Sequence, residues 1–167
     1  MKKLIPFLML LLCIACLCSC KSDSESYEDP VSFYYLTDPV SFETNAGILS
    51  PEIREAKIFH NNTSEILNHY FSGPVNEGFA SPFPPGLSVV SLVRNDGIIT
   101  LTLNDAIASL TGSDLSISCV CIALTIIEYT GCQEVEIQAQ NMLLDGKTSI
   151  TISEQNLYLR DLPIASE

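Results

Sequence analysis

Residues 79–103, FASPFPPGLSVVSLVRNDGIITLTL, decide the fold. They open on a proline knot, Pro82, Pro84 and Pro85 followed by Gly86, which neither a helix interior nor a central strand tolerates. Two apolar, β-branched runs follow, 87–93 and 98–103, joined by Arg94-Asn95-Asp96-Gly97. In the second run Ile99, Leu101 and Leu103 share one face while Thr100 and Thr102 share the other, the alternation of a strand buried on one side. Asp-Gly supplies the positive φ that a tight hairpin turn needs, so the two runs are expected to pair antiparallel. No residue of the stretch suggests catalysis.

Working outward, the chain begins with Lys2-Lys3, an apolar run over 4–17, and Cys18-Ser19-Cys20. A basic start, a short apolar core and small residues before a cut site describe a secretory signal peptide. The run falls short of the roughly 20 apolar residues of a membrane span. Leu17 at −3, Ser19 at −1 and Cys20 at +1 resemble a bacterial lipobox, which makes residues 1–19 a lipoprotein signal peptide and Cys20 the lipidated residue. Cys16 is a weaker alternative, because Cys13 suits the −3 position poorly. Residues 20–30 then form a polar, acidic tether, residues 31–160 the domain, and residues 161–167 a C-terminal tail. The expected location is the outer face of the bacterial cytoplasmic membrane.

The 167-residue chain carries 20 acidic and 8 basic residues, a net charge of −12. Removing the leader takes away Lys2 and Lys3 and lowers the charge to −14. Nucleic-acid binding relies on clustered Lys and Arg against phosphates, so it is not expected here. Anionic headgroups would repel the domain as well, leaving the acyl chain on Cys20 as the membrane contact. Of seven cysteines, only Cys119, Cys121 and Cys132 belong to the domain. Cys119 and Cys121 would point about 200° apart on one helix; Cys132 lies beyond the end of that helix, whose remaining length alone would separate it from Cys121 by roughly 12 Å, beyond disulfide reach. Free thiols are expected.

Residues 31–36 (VSFYYL) read as the first strand, residues 37–50 as a loop or short extended piece, and residues 52–59 as a second extended segment of ambiguous periodicity. With Asn62 as the cap, Glu65 falls at the capping-box position, predicting a helix over 63–71 that places Ile66, Leu67, Tyr70 and Phe71 on one face. Ser113 is expected to cap a longer helix to about residue 129, stopped by Gly131. On its wheel an apolar arc wider than half the circumference leaves a strip of Ser118, Cys121, Thr125, Glu128 and Tyr129. That arc calls for a helix packed onto a sheet. Val135 and Ile137 mark a half-exposed strand; Asp145-Gly146-Lys147 marks a turn, with candidate late strands at 149–152 and 157–159. The predicted class is α+β, a β-α-β-β-α-β module with two helices on one face of a mostly antiparallel sheet.

The pattern YYL, then Ser64 to Leu67 with Phe71-Ser72-Gly73-Pro74, then Phe83-Pro84-Pro85-Gly86 before LSVVSLVRNDGIITLTL, then ALTIIEYTG before VEI, resembles the GerMN domain of sporulation and spore-germination proteins. The resemblance covers about residues 31–146. One departure is QAQNMLL, which separates the VEI strand from Asp145-Gly146 where the family turns sooner, so a longer or differently registered C-terminal hairpin is expected. The resemblance implies a compact module similar to ring-building domains of secretion and sporulation channels. It also implies a non-catalytic lipoprotein serving envelope or spore-related complex assembly, here with a single domain.

The residues themselves supply little chemistry. His60 and His69 lack a shared set of metal-ligand neighbours, so neither a metal site nor a cofactor is expected. No nucleophile motif, phosphate loop or defined carboxylate pair emerges; Asp105 and Asp114 are a nominal pair, and Asp114 suits a helix start. Overlapping sequons at Asn61 and Asn62 read as a polar helix start, and Phe33, Tyr34 and Tyr35 as strand core. Three functions remain open. An interaction module would dock or self-associate through a sheet edge or the 113–129 helix, and an exposed, uncharged edge would favour it. A binder of peptidoglycan fragments or a small solute would need a deep pocket with convergent polar groups. A cell-wall hydrolase would need a catalytic constellation.

Overall fold

The computed structural model describes residues 29–37, 49–56, 62–143, 146–153 and 155. The leader, Cys20, the tether up to residue 28, most of the 37–50 connection, Asn61, His60, Asp145, the 157–159 strand and the tail lie outside the described residues. The elements run β1 (Pro30–Thr37), β2 (Leu49–Glu55), α1 (Thr63–Phe71), β3 (Phe79–Ala80), β4 (Val89–Asn95), β5 (Ile98–Leu103), a 3-10 turn (Asp105–Ser109), α2 (Gly112–Thr130), β6 (Glu134–Gln138) and β7 (Ser149–Ser153). This is the expected α+β order.

The strands divide between two sheets instead of forming one, in the orders β2-β1-β3 and β4-β5-β6-β7. Every pairing is antiparallel except β5 with β6. That pair is parallel because α2 lies between the two strands in sequence and returns the chain to the same end of the sheet. The hairpin turn is tighter than the four-residue link read from sequence. Asn95 faces Ile98, and Asp96 and Gly97 alone turn the chain at φ 45° and 84°, the left-handed pair that suits strand twist. The QAQNMLL departure resolves into a register of Gln138 against Ser149, with Met142 tucked fully into the core.

α1 forms as its cap predicts. The Asn62 side chain accepts from the Ser64 and Glu65 N–H groups at 3.1 and 3.3 Å and donates back to Glu65 at 3.1 Å. Ile66, Leu67, Tyr70 and Phe71 are all buried, each apolar side chain contributing about 1.5–3 kcal/mol of burial. α2 begins earlier than expected. Thr111, not Ser113, takes the N-cap position, and its side chain makes no cap bond. The C-terminus follows expectation: Gly131 turns left-handed at φ 65°, and its N–H reaches the Ile127 carbonyl at 2.9 Å.

Candidate interaction surface

Ser118, Cys121 and Thr125 of the polar strip of α2 face inward, against the place where the two sheets divide, while Glu128 is exposed. β1 pairs with β2 along its whole length on one side but with β3 only at Leu36 and Thr37 on the other. Where β3 is absent, side chains replace a strand. The Tyr34 N–H donates to Thr125 Oγ1 at 3.2 Å, and the Tyr34 carbonyl accepts from the Tyr70 hydroxyl. Two turns earlier on α2, Ser118 donates to the Pro82 carbonyl. One turn later, Glu128 accepts from Ser32 and from the Tyr34 hydroxyl, both at 2.6 Å. A buried backbone group without a partner is costly, so Ser118 and Thr125 are held inside. The partly exposed stripe of α2 is instead the apolar Ile117, Val120, Leu124 and Ile127.

A second framework locks the loop after α1. Glu52 accepts from the Val75 N–H at 3.1 Å, from the Asn76 N–H at 3.2 Å and from Arg54 Nε at 2.5 Å. Arg54 also donates to the Gly73 carbonyl at 2.9 Å and to the Tyr35 hydroxyl at 3.3 Å. Its guanidinium lies 5.0 Å from the Phe33 ring centroid, a cation–π contact. Burial alone would raise the Glu52 carboxyl; the Arg54, Asn76 and Val75 donors outweigh it and hold it below its ordinary value. Burial, aided by the Arg54 charge, lowers His69, which lies against Phe33 at 6.4 Å. Phe33 and Tyr35 are core residues: Tyr70 stacks on Phe33 at 4.9 Å and Tyr35 lies 5.0 Å from it.

The edge of the larger sheet is treated differently. At its start, Val89 donates to Asn68 of α1 at 2.9 Å, and a bulge between Val89 and Ser91 breaks the ladder. Beyond the bulge, residues 91–95 pair with β5 alone among the described residues. A two-residue hairpin closes on a hydrogen-bonded pair, here Asn95 with Ile98. Alternation then turns the N–H and C=O groups of Leu92 and Arg94 outward. Val90 is 65% exposed, Val93 49% and Ile98 40%, so three of the large exposed apolar side chains belong to this hairpin. Arg94, its one cation, reaches the Thr130 carbonyl at 3.3 Å, neutralising the end of α2 instead of standing along the edge. Sequence reasoning did not single out Arg94, Asn68, Glu52 or Arg54. The charged i,i+2 alternation of Glu52 and Arg54 was the one available signal.

The other nominated residues do not converge. Asp105 accepts from Asn141 at 2.9 Å, while Asp114 stands at the first turn of α2. Cys119, Cys121 and Cys132 are free and buried; burial pushes the Cys119 and Cys121 thiols up to about 12, leaving them protonated and inert. No group of three His, Cys, Asp or Glu among the described residues could hold a metal ion. An open cleft of about 240 Å³ is lined by the apolar Leu36, Pro82, Phe83, Leu110 and Ile117, with only Ser81 and Asp114 as polar side chains.

The sequence model for sporulation and spore germination (Germane) matches residues 32–149. Among solved structures, the tandem GerMN domains of the sporulation protein GerM from Bacillus subtilis align with a TM-score of 0.57 at 21% identity, covering 74% of this chain and 45% of that one. The first GerMN domain of the same protein aligns with a TM-score of 0.57 at 15% identity, covering 75% of this chain and 98% of that domain. The chain therefore spans less than half of the tandem pair and nearly all of the single domain. At these identities the likeness establishes the fold. No curated protein matches the chain.

Proposed function

Since this chain belongs to the sporulation and spore germination (Germane) family, we propose that it is a lipid-anchored, non-catalytic GerMN-like module that serves assembly of an envelope or spore-related complex. The observation that carries the reading is the open edge at residues 91–95, which pairs with β5 alone among the described residues. It joins main-chain donors and acceptors to exposed valines in a stretch with few charges. The lipobox at Leu17 to Cys20 supplies the anchor, acylated at Cys20, and places the domain outside the cytoplasmic membrane.

The cleft beside α2 offers little support for binding peptidoglycan fragments or a small polar solute. Such ligands need several convergent polar groups, and Ser81 and Asp114 alone do not provide them. Hydrolysis finds no support either, because Asp105 is engaged by Asn141 and, among the described residues, no nucleophile is paired with a base.

Two measurements test the reading. Palmitate labelling of the full chain in its native host should be lost in Cys20→Ala; labelling that persists would remove the anchor assignment. The protein should also rise in membrane fractions of sporulating cells relative to growing ones. Equal levels in both, or a host that makes no spores, would contradict a spore-related role.

A further inference from the structure

Resting on the reading of this chain as an interaction module, we infer that its partner at the open edge is a second copy, paired antiparallel through residues 91–95 about a two-fold axis at Val93. Three observations lead there. First, the free stretch is bounded: Asn68 occupies the Val89 N–H at one end, the bulge follows, and the Asp96-Gly97 turn closes the other end. Second, the stretch is self-complementary. The outward groups belong to Leu92 and Arg94, so rotation about Val93 sets Leu92 of one copy against Arg94 of the other. Each such pair exchanges both main-chain bonds, while Val93 meets Val93 in the closer, non-hydrogen-bonded register. Third, the stretch is low in charge. The molecule carries −12 overall, and two copies repel wherever acidic surfaces meet. Residues 86–104 hold one basic and one acidic side chain, Arg94 and Asp96, and Arg94 is drawn away to Thr130.

Pairing in this register joins two four-stranded sheets into one of eight and covers Val93 in both copies. It is isologous and closes at two, because the two-fold axis uses the same stretch of both copies.

Cross-linking tests it directly. Non-hydrogen-bonded residues facing each other across antiparallel strands have Cα atoms about 4.5 Å apart, inside the roughly 4.4–6.8 Å range of disulfides. The full-length chain, purified in mild detergent and gently oxidised, should give a disulfide-linked dimer on non-reducing gels as Val93→Cys. Val75→Cys, at a 78% exposed position outside the hairpin, and the parent chain should give no covalent dimer. Val93→Lys, which sets two like charges face to face, should shift the sedimenting species from dimer to monomer while leaving the circular dichroism spectrum unchanged. Equal dimer yields from the Val93 and Val75 variants would overturn the pairing, as would unchanged sedimentation of Val93→Lys. If Val93→Cys instead cross-links only to a different protein in host membranes, self-pairing fails while the interaction-module reading stands.

Discussion

Two strand edges in this molecule meet the same physical demand in opposite ways. The β1 edge lies inside, where the Tyr34 N–H and C=O are satisfied by Thr125 and Tyr70. The β4 edge past Val90 lies outside, where water or another chain must satisfy Leu92 and Arg94. Sealing the first edge uses a helix strip that would otherwise be the solvent-facing side of α2. It also costs the domain a continuous sheet, since among the described residues β1 has no strand at Tyr34 on the side away from β2. Leaving the second edge open keeps a template for strand pairing, guarded only by a bulge and a two-residue turn.

The comparison sharpens if each edge responds to substitution as its surroundings dictate. The largest effect belongs to the sealed half: Glu52→Ala strips the acceptor from Val75, Asn76 and Arg54 and should cost about 3 kcal/mol in urea unfolding, as expected when a buried pair loses one partner. Thr125→Val should cost about 2 kcal/mol by removing the buried hydroxyl to which the Tyr34 N–H donates, and Thr125→Ser should recover most of it. At the open edge, Val93→Thr should change stability by no more than about 0.5 kcal/mol, the range of ordinary surface substitutions. A cost at Val93 as large as that at Thr125 would erase the distinction.

Acid provides a graded version of the same contrast. The folded Glu52 carboxyl is held below its unfolded value of 4.5. Its contribution is therefore fully present above that pH and is lost as pH falls toward the folded value. Thermal midpoints should stay level down to about pH 5 as far as this group is concerned and then decline. In Glu52→Ala that part of the decline should vanish, because the group that titrates is gone.

The sequence displayed the local features and concealed those that depend on strand order. Asp96-Gly97 announced the hairpin because few residues other than glycine accept its backbone geometry, and Asn62 with Glu65 announced α1 because a capping box is a contact within four residues. On the helical wheel Ser118 and Thr125 stood in the polar strip with Glu128, since a wheel ranks side chains by polarity alone. That β1 has no strand at Tyr34 on the side away from β2, among the described residues, is a tertiary fact, and only that fact turns Ser118 and Thr125 inward. β2 was ambiguous for a related reason: Glu52 and Arg54 point to the aromatic side of the sheet, which breaks the usual alternation of apolar and polar residues. The open edge was foreseen as a kind of surface but not located, because nothing local to 91–95 reveals that, among the described residues, only β5 lies beside it.

The contrast between the two edges is tested most directly by amide hydrogen exchange at Tyr34, Leu92 and Arg94, measured on Val93→Lys so that pairing between copies does not cover β4. A Tyr34 amide as slow as those of the β5 core, with Leu92 and Arg94 exchanging orders of magnitude faster, is the expected result. A fast Tyr34 amide would mean that α1 and α2 do not seal β1. Slow Leu92 and Arg94 amides in the unpaired chain would mean that the β4 edge is already covered and is not a docking site.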